Sequence, residues 1–596
     1  MNGERFIVIA EKASVARAIK SVIAAAKANA VVSSVRGHLM EADLPEGYEW
    51  GLKHPLEIIK LRNVVDKISD TKTFENLVRL FNDGGVLVVA TDNDSEGELI
   101  GYEILKVYRR LHGEKATCLR MRFNSLDRRE LYASWRKLEQ NLNWRWVEKA
   151  RFRQVFDLIT GAAFTRLLTE STRKKVRVRL ISWGSCQTPT LNFVVEREKE
   201  ILSFKPRKYW LIKARLETED GHGLTAVSER FWQKDIAEKV FETVKSVEKA
   251  VVAEYQAKQK TLPRPLPMRT DDVLRDLTRI TGLSANKLLS IMEDLYAEGC
   301  LSYPRTDTNK YRPGFDFDTP REIIERSGIL PGLLEGRKTA NPRNGGKDDG
   351  AHPPIYPTAV YKGDDVKRRV WEYVARRFYA NAFSEDAVQL MQHATVKLGE
   401  TSLKADGSYI VSEGFYRYFT YFRPSDSPLP SLSKGQMLKV TAVKLEEDET
   451  KPPTRLSEAD LLRAMEKHGI GTDATRALYP QLIVERRYAR KTGRYFVPTP
   501  LGMNLIEALA ATDKRLVTPE TRRMVEEYME KIEHGEVELS ESLDRSLQLY
   551  ETLLKACTEK IEEISSLLAE SVKNLKQKAL NRGDGRKHSF ASAANL

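Results

Sequence analysis

Two short apolar runs, FIVIA (6–10) and VLVVA (86–90), each stop at acidic residues, and each is followed by a stretch with helical apolar spacing. After the first come Glu11 and the Ala-rich VARAIKSVIAAAKA. After the second come Asp92, Asp94 and Glu96, then EGELIGYEILKVYRRLH, apolar at Leu99, Ile100, Ile104, Leu105 and Tyr108. Strand, helix, strand, helix is the order of a parallel α/β sheet. Ligand sites form at the carboxyl edge of such a sheet, so the four carboxylates are expected to converge there. Oxygen-only ligands suit Mg²⁺, with Mn²⁺ as the alternative, rather than zinc. Crowded carboxylates raise the proton affinity of at least one member, which makes a glutamate usable as an acid near neutral pH. Glu11 is assigned that part.

At about 150 residues per domain, a chain of 596 residues holds about four domains and is no single small module. Its net charge of +13 favours a polyanionic partner, nucleic acid first. Cys118, Cys186, Cys300 and Cys557 form no C-x-x-C pair, which excludes a zinc ribbon and argues against a disulfide scaffold. FIVIA is too short for a signal segment or a membrane span, so a reducing, cytoplasmic setting without membrane contact is expected. No G-x-x-x-x-G-K-[ST] occurs, so ATP is not expected as a cofactor.

Further along, residues 127–170 carry a helical pattern with Arg151, Arg153 and Arg166, and the basic stretch RKKVRVR (173–179) follows. Residues 201–258 and 386–447 are strand-like and bracket a more helical block, the pattern of one domain entered twice. TLPRPLPMRT (261–270) reads as a linker, and 331–350 as a loop. A helix, a GLS turn, the helix SANKLLSIMEDLYAEG and then LSYPRTDT form one unit. SEADLLRAMEKH, the turn GIG, TRALYPQLIVERR and a hairpin around Gly493 form a second. Both resemble helix-turn-helix units with a wing, the second helix being the usual DNA-facing element, and both also fit plain helical hairpins. From about Val517 the chain reads as helical and charged, with a flexible basic tail.

LSYPRTDTN places Tyr303, Arg305 and Asp307 on one side of an extended chain. A phenol is a poor nucleophile alone; a neighbouring guanidinium favours the phenolate and grips phosphate oxygens. Asp307 is expected to orient Arg305, although a Tyr-Pro pair before a loop also has a purely structural reading. DNDSEGELIGYE has EF-hand spacing but follows a strand instead of a helix, and GIGTDA fits a dinucleotide pattern but follows a helix, so calcium and dinucleotide binding are set aside. Trp183 and Tyr209 are open between base stacking and core.

IAEKASVARAI, ATDNDSEGELIGYEI, ISWGSCQTPTLNFVVERE, LSYPRTDTN, AHPPIYPT and KHGIGTDATRA together resemble the type IA DNA topoisomerases, closest to the topoisomerase III branch, over residues 9–477. The resemblance implies an α/β Toprim domain in a four-domain torus, the rest mainly α with winged-helix-like units. Toprim would span 1–148. A discontinuous winged-helix DNA-binding domain would span 149–200 and 448–570, and a discontinuous β-rich hinge domain 201–258 and 386–447. A domain with the nucleophile would span 259–385, and a flexible tail 571–596. The resemblance implies Tyr303 as nucleophile, Glu11 as acid/base, Lys12 as phosphate contact, Arg305 as transition-state stabiliser, His352 beside them, and Asp92, Asp94 and Glu96 as magnesium triad. Gln187 and Thr188 fall in a DNA-contacting motif, and Asp307, Arg151, Arg153 and Arg476 join them as expected DNA contacts. Ser95 stands where many members have Arg, and Ser185 where the bacterial topoisomerase I group has Arg; no C-terminal zinc ribbon follows.

The expected reaction is ATP-independent. Tyr303 cleaves one strand to a 5′-phosphotyrosine, another strand passes, and the break is resealed, relaxing negative supercoils or separating catenanes. Single-stranded, negatively supercoiled and catenated DNA are the expected substrates of a monomer in a prokaryotic, archaeal cytoplasm near the nucleoid, with a helicase and a single-strand-binding protein as helpers. A Toprim nuclease or primase-like enzyme and an inactive DNA-binding protein are the rival readings.

Overall fold

The computed structural model describes residues 4–330, 339–472 and 475–581. A five-stranded sheet opens the chain, in the order Ala30–Ser34, Phe6–Ala10, Val86–Ala90, Leu119–Arg120, Glu139–Gln140. All neighbours are parallel except the last pair. Phe6–Ala10 is buried throughout, as a central parallel strand covered on both faces must be. Ala10 pairs in register with Ala90, so the residues after the two strands emerge side by side at the carboxyl edge.

Segments far apart in sequence close a six-stranded barrel. Its strands are Lys208–Glu217, Gly223–Val227 and Lys249–Leu262 from one segment, with Ala387–Leu398, Thr401–Ser412 and Met437–Glu449 from the other. The helical stretch expected over 127–170 is two helices, Arg128–Arg136 and the 30-residue Trp144–Arg173, which runs through the largest apolar cluster. Trp183 stacks on Phe164 with ring centroids 4.3 Å apart and is core, and Tyr209 is likewise buried.

The first helix-turn-helix unit comprises Thr270–Thr281 and Ala285–Ala297, with an irregular segment after them. LSYPRTDTN forms no strand beyond a bridge from Leu301 to Pro357. In the second unit the helix Glu458–Lys467 is followed by only seven residues of α-helix, Tyr479–Glu485. The antiparallel hairpin Ala489–Thr492 and Tyr495–Pro498 follows, and turns at Gly493. The tail expected from 571 starts too early. The last helix runs Ile561–Asn581, and burial of Leu568, Ala569 and Val572 extends the apolar cluster into it. Residues 582–596, the rest of that tail, lie outside the described residues. No helix among the described residues is long and apolar enough to cross a membrane.

Candidate active site

Backbone and two buried charges shape the acidic edge. Asp94 caps the helix Ser95–His112 by accepting from the Gly97 amide at 2.7 Å. A Cβ on Gly97 would lie 2.1 Å from the Asp92 carbonyl oxygen, so only glycine lets the chain fold back this tightly. Behind it, fully buried Arg120 donates to Glu98 at 2.8 Å, to the Thr91 carbonyl at 2.9 Å and to the Asp92 carbonyl at 2.8 Å. Arg120 and Glu98 escaped sequence reading because their pairing depends on which strands become neighbours.

Glu11 accepts from the Asp92 amide at 3.2 Å, and Lys12 Nζ lies 3.2 Å from Asp92 Oδ2 and 3.8 Å from Glu11. Burial, reinforced by Asp92, pushes the Glu11 carboxyl up to about 8. Burial, with Asp94 beside it, also raises Asp92 against the pull of Lys12. Asp94 goes the other way. Burial would raise it, but the Tyr303 hydroxyl, the Gly97 amide and Arg305 hold it below the usual carboxylate range.

The tyrosine segment meets this edge from the opposite side. The Tyr303 hydroxyl donates to Asp94 Oδ2 at 2.5 Å, and the Tyr303 amide donates to the Asn124 carbonyl at 2.7 Å. Tyr296, seven residues earlier, donates to Asp92 Oδ1 at 3.2 Å and packs edge-on to Tyr303. Both tyrosines belong to an apolar cluster otherwise drawn from the first 140 residues. Tyr303 is only 5% exposed, so a phosphodiester reaches its hydroxyl only if the interface gives way. Burial first, then Asp94 and Asp92, push the phenol well above its ordinary value, and Arg305 opposes them.

Arg305 and His352 flank the phenol, each with an anchor. Arg305 donates through Nε at 2.8 Å and Nη2 at 2.5 Å to Glu293. The expectation that Asp307 orients Arg305 is therefore corrected: Glu293, one helix back, does so. The Asp307 carboxylate has Arg269 at 3.7 Å instead. His352 lies against the Tyr303 ring, centroids 5.0 Å apart, and its Nδ1 is 3.1 Å from Asp349 Oδ2.

The third acid, Glu96, lines the same cavity as Asp94 and is held by two cations. Arg153 donates to Glu96 Oε1 at 2.7 Å, and His38 Nε2 lies 3.3 Å from Oε2. Burial would lower the His38 imidazolium, but bonds to Glu103 and Glu96 raise it to about 10. Among the described residues no three carboxylate, histidine or cysteine groups converge as a cage for a metal ion. The donor chemistry of Asp92 and Asp94 fits a hard divalent cation, while each acid is bound here by its own protein partner.

The expected DNA contacts fare unevenly. Gln187 and Thr188 are 5% and 1% exposed at the start of the helix Gln187–Ser203, where Gln187 bonds Ser182. Neither offers surface to DNA in this conformation, because their polar groups secure the helix start. Arg151 is bound to Asp66 at 2.7 Å, and Arg476 is buried against Asp271. Arg153 and Asp307, with Asp94, Glu96 and His352, line a cavity of about 590 Å³ beside the acids.

The chain matches the DNA topoisomerase family over residues 141–544 and the Toprim domain over 6–126. It is 30% identical to DNA topoisomerase 1 of Thermoplasma acidophilum, covering 90% of this chain and 69% of that one. It is 32% identical to DNA topoisomerase 1 of Archaeoglobus fulgidus, covering 91% and 80%. Human DNA topoisomerase 3-beta-1 is 31% identical over 91% of this chain, which spans 65% of that protein. Full-length topoisomerase I from Thermotoga maritima shares the fold, with a TM-score of 0.73, 22% identity, and coverage of 92% and 90%.

Proposed function

The chain belongs to the type IA DNA topoisomerase family, and from that premise we propose that Tyr303 is its nucleophile and Glu11 its general acid. The phenol oxygen of Tyr303 attacks a backbone phosphorus of single-stranded DNA, and the P–O3′ bond breaks. The phenol proton leaves to solvent as the hydrogen bond from Tyr303 to Asp94 opens, and Glu11 gives its proton to the leaving 3′-oxygen. Arg305, anchored by Glu293, and Lys12 offset the charge that builds on the phosphate oxygens. One phosphoester replaces another, so resealing by the 3′-hydroxyl needs no ATP. A strand passes through the break before it closes, which relaxes negative supercoils or separates catenanes.

Toprim domains bind divalent metal. Asp92 and Asp94 would hold Mg²⁺, which supplies alignment and activation of the 3′-hydroxyl for resealing. Glu96, the third acid of the expected triad, is shared here by Arg153 and His38 and would join them at the metal only by giving up those bonds. The domains are those read from the sequence, with the last helix joined to the 448–570 segment and a helicase and a single-strand-binding protein as helpers. The observation that carries the reading is the Tyr303 hydroxyl seated among Asp94, Glu11 and Arg305, which come from distant parts of the chain. Trapping a labelled single-stranded oligonucleotide with detergent tests it: the native chain should hold label on Tyr303, and Tyr303→Phe should hold none. Cleavage that survives Tyr303→Phe would make the chain a metal-dependent nuclease.

A further inference from the structure

Away from the cleft, one surface concentrates positive charge. From 486 to 494 the sequence RRYARKTGR has five basic residues and no acid. It forms the turn and most of the hairpin Ala489–Thr492 and Tyr495–Pro498, with Arg486, Arg490, Lys491 and Arg494 exposed. Lys491 is paired with Glu458, and its ammonium lies 5.2 Å from the Phe496 ring, which pins the hairpin to the neighbouring helix. Arg490 and Arg494 make no ion pair among the described residues. Arg490 donates only to Thr492 Oγ1 at 3.2 Å, and Arg494 sits over the Tyr495 ring at 5.4 Å.

In a winged helix-turn-helix the second helix ordinarily faces DNA. Here that helix, YPQLIVE, has no Lys or Arg, ends on Glu485, and buries Pro480 and Ile483. The cations lie on the wing and not on the helix. Arg153 and Arg476, at the cleft, must give up Glu96 and Asp271 to take a phosphate, whereas Arg490 and Arg494 have no direct carboxylate partner among the described residues; Glu198, the carboxylate that feels Arg490, is itself held by Arg455. No residue of 486–494 lines either cavity beside the acids.

We propose that the wing bearing Arg490 and Arg494 is a second nucleic-acid site, which grips the phosphodiester backbone of DNA outside the cleavage cleft. The inference rests on the function proposed above. Two planar guanidiniums match phosphate oxygens in pairs, and contacts of this kind fix position without reading sequence. The wing holds DNA while the cleft is open.

The test uses the full chain with Arg490→Gln and Arg494→Gln together, and Arg490→Lys with Arg494→Lys as the charge-keeping control. Both positions are exposed, so the melting temperature should not move. Affinity for a short blunt duplex and for a single strand of equal length is followed against salt, alongside adduct formation on an oligonucleotide that only fills the cleft. The Gln pair should flatten the plot of log affinity against log salt by about 1.8 on duplex, or by about 1.4 on single strand, for two lost phosphate contacts. The probe that responds identifies which form of DNA the wing holds. The Lys pair should keep most of the slope, and the cleft-filling oligonucleotide should still be cleaved. Unchanged slopes on both probes, with adduct still formed, would overturn this proposal alone. No adduct from the native chain would overturn the function it rests on.

Discussion

The Tyr303 hydroxyl donates to Asp94 Oδ2 at 2.5 Å, so the closed chain holds its nucleophile on one of the acids proposed to bind metal. One oxygen cannot serve the phenol proton and a cation equally well. In the reaction proposed above, cleavage should therefore not need metal, and resealing, once the phenol has left Asp94 for phosphorus, leaves that carboxylate free.

Asp94→Asn separates the two steps. Asparagine still accepts from the phenol and still caps the helix at Gly97, but the charge that raises the phenol's proton affinity is gone. Metal-free cleavage should stay within about tenfold of native, a change of about 1.4 kcal/mol. Resealing on addition of Mg²⁺ should slow, so that the adduct accumulates. Detergent quenching at intervals after metal addition reads this directly, and an adduct that vanishes as fast as the native one would refute the division of labour.

Glu11 sets the pH dependence. Burial and Asp92 hold its carboxyl up to about 8, so it carries a proton at neutral pH and loses it as the pH rises through that value. Metal-free cleavage should fall over the same range. Glu11→Gln should flatten the profile and slow cleavage by about 10²- to 10⁴-fold. The stability effect has a matching sign: a raised folded value means that stability falls as pH rises from the ordinary 4.5 to about 8. Glu11→Gln should therefore gain melting temperature over native at pH 8 and lose that advantage in acid. Parallel melting curves at both pH values would remove Glu11 as the group that titrates.

Local signals carried much of the site. FIVIA and VLVVA are short, β-rich and acid-terminated, and the register that pairs Ala10 with Ala90 turns this sequence pattern into one edge. Long-range pairing stayed hidden. Nothing near Arg305 in sequence marks Glu293 as its anchor, because a helix must first fold back to present it. Nor does anything near Glu96 announce His38 and Arg153. Two partly exposed strand-like blocks could be recognised as one unit, but closure of six strands into a barrel depends on partners more than a hundred residues apart. The wing's basic content was plain in sequence; that Lys491 is paired while Arg490 and Arg494 are not depends on where Glu458 comes to lie.

Asp349 is a positioning residue for the phenol's neighbour. Its Oδ2 is 3.1 Å from His352 Nδ1 and accepts from Thr306 Oγ1 at 3.0 Å, and its Oδ1 accepts from the His352 amide at 2.8 Å. It thereby ties the histidine to the segment just beyond Arg305. Asp349→Ala should slow single-turnover cleavage about ten- to hundredfold, or about 1.4–2.7 kcal/mol, while oligonucleotide affinity stays the same. Asp349→Asn, which keeps the amide acceptor, should recover part of the rate. A loss of affinity equal to the loss of rate would mean that Asp349 supports binding instead of alignment.

Opening of the gate should be governed by Glu466. Arg269 Nη1 and Arg275 Nη1 reach its two oxygens at 2.7 and 2.6 Å, and Lys347 Nζ lies 3.7 Å away. These cations belong to the stretch that carries Tyr303, and Glu466 belongs to the helix Glu458–Lys467 on the other side of the interface. A strand can pass only if the stretch lifts away, and lifting breaks these bonds together with those of Tyr303 and Tyr296. Arg269 also forks onto Asp272 with both contacts at 3.0 Å, so Glu466→Gln does not strand a bare charge and avoids the cost of a broken buried pair. Losing charge-assisted hydrogen bonds should then weaken the closed state by about 1.5–3 kcal/mol, a rise of at least about tenfold in the open population. Dyes placed on the two sides, followed in single molecules, should show more frequent opening in Glu466→Gln, and strand passage should speed up if opening limits it. Because the substitution leaves the cleft residues in place, adduct formation on a short oligonucleotide should persist. An unchanged open fraction would mean that the two phenol–carboxylate bonds, rather than this cluster of arginines, keep the gate shut.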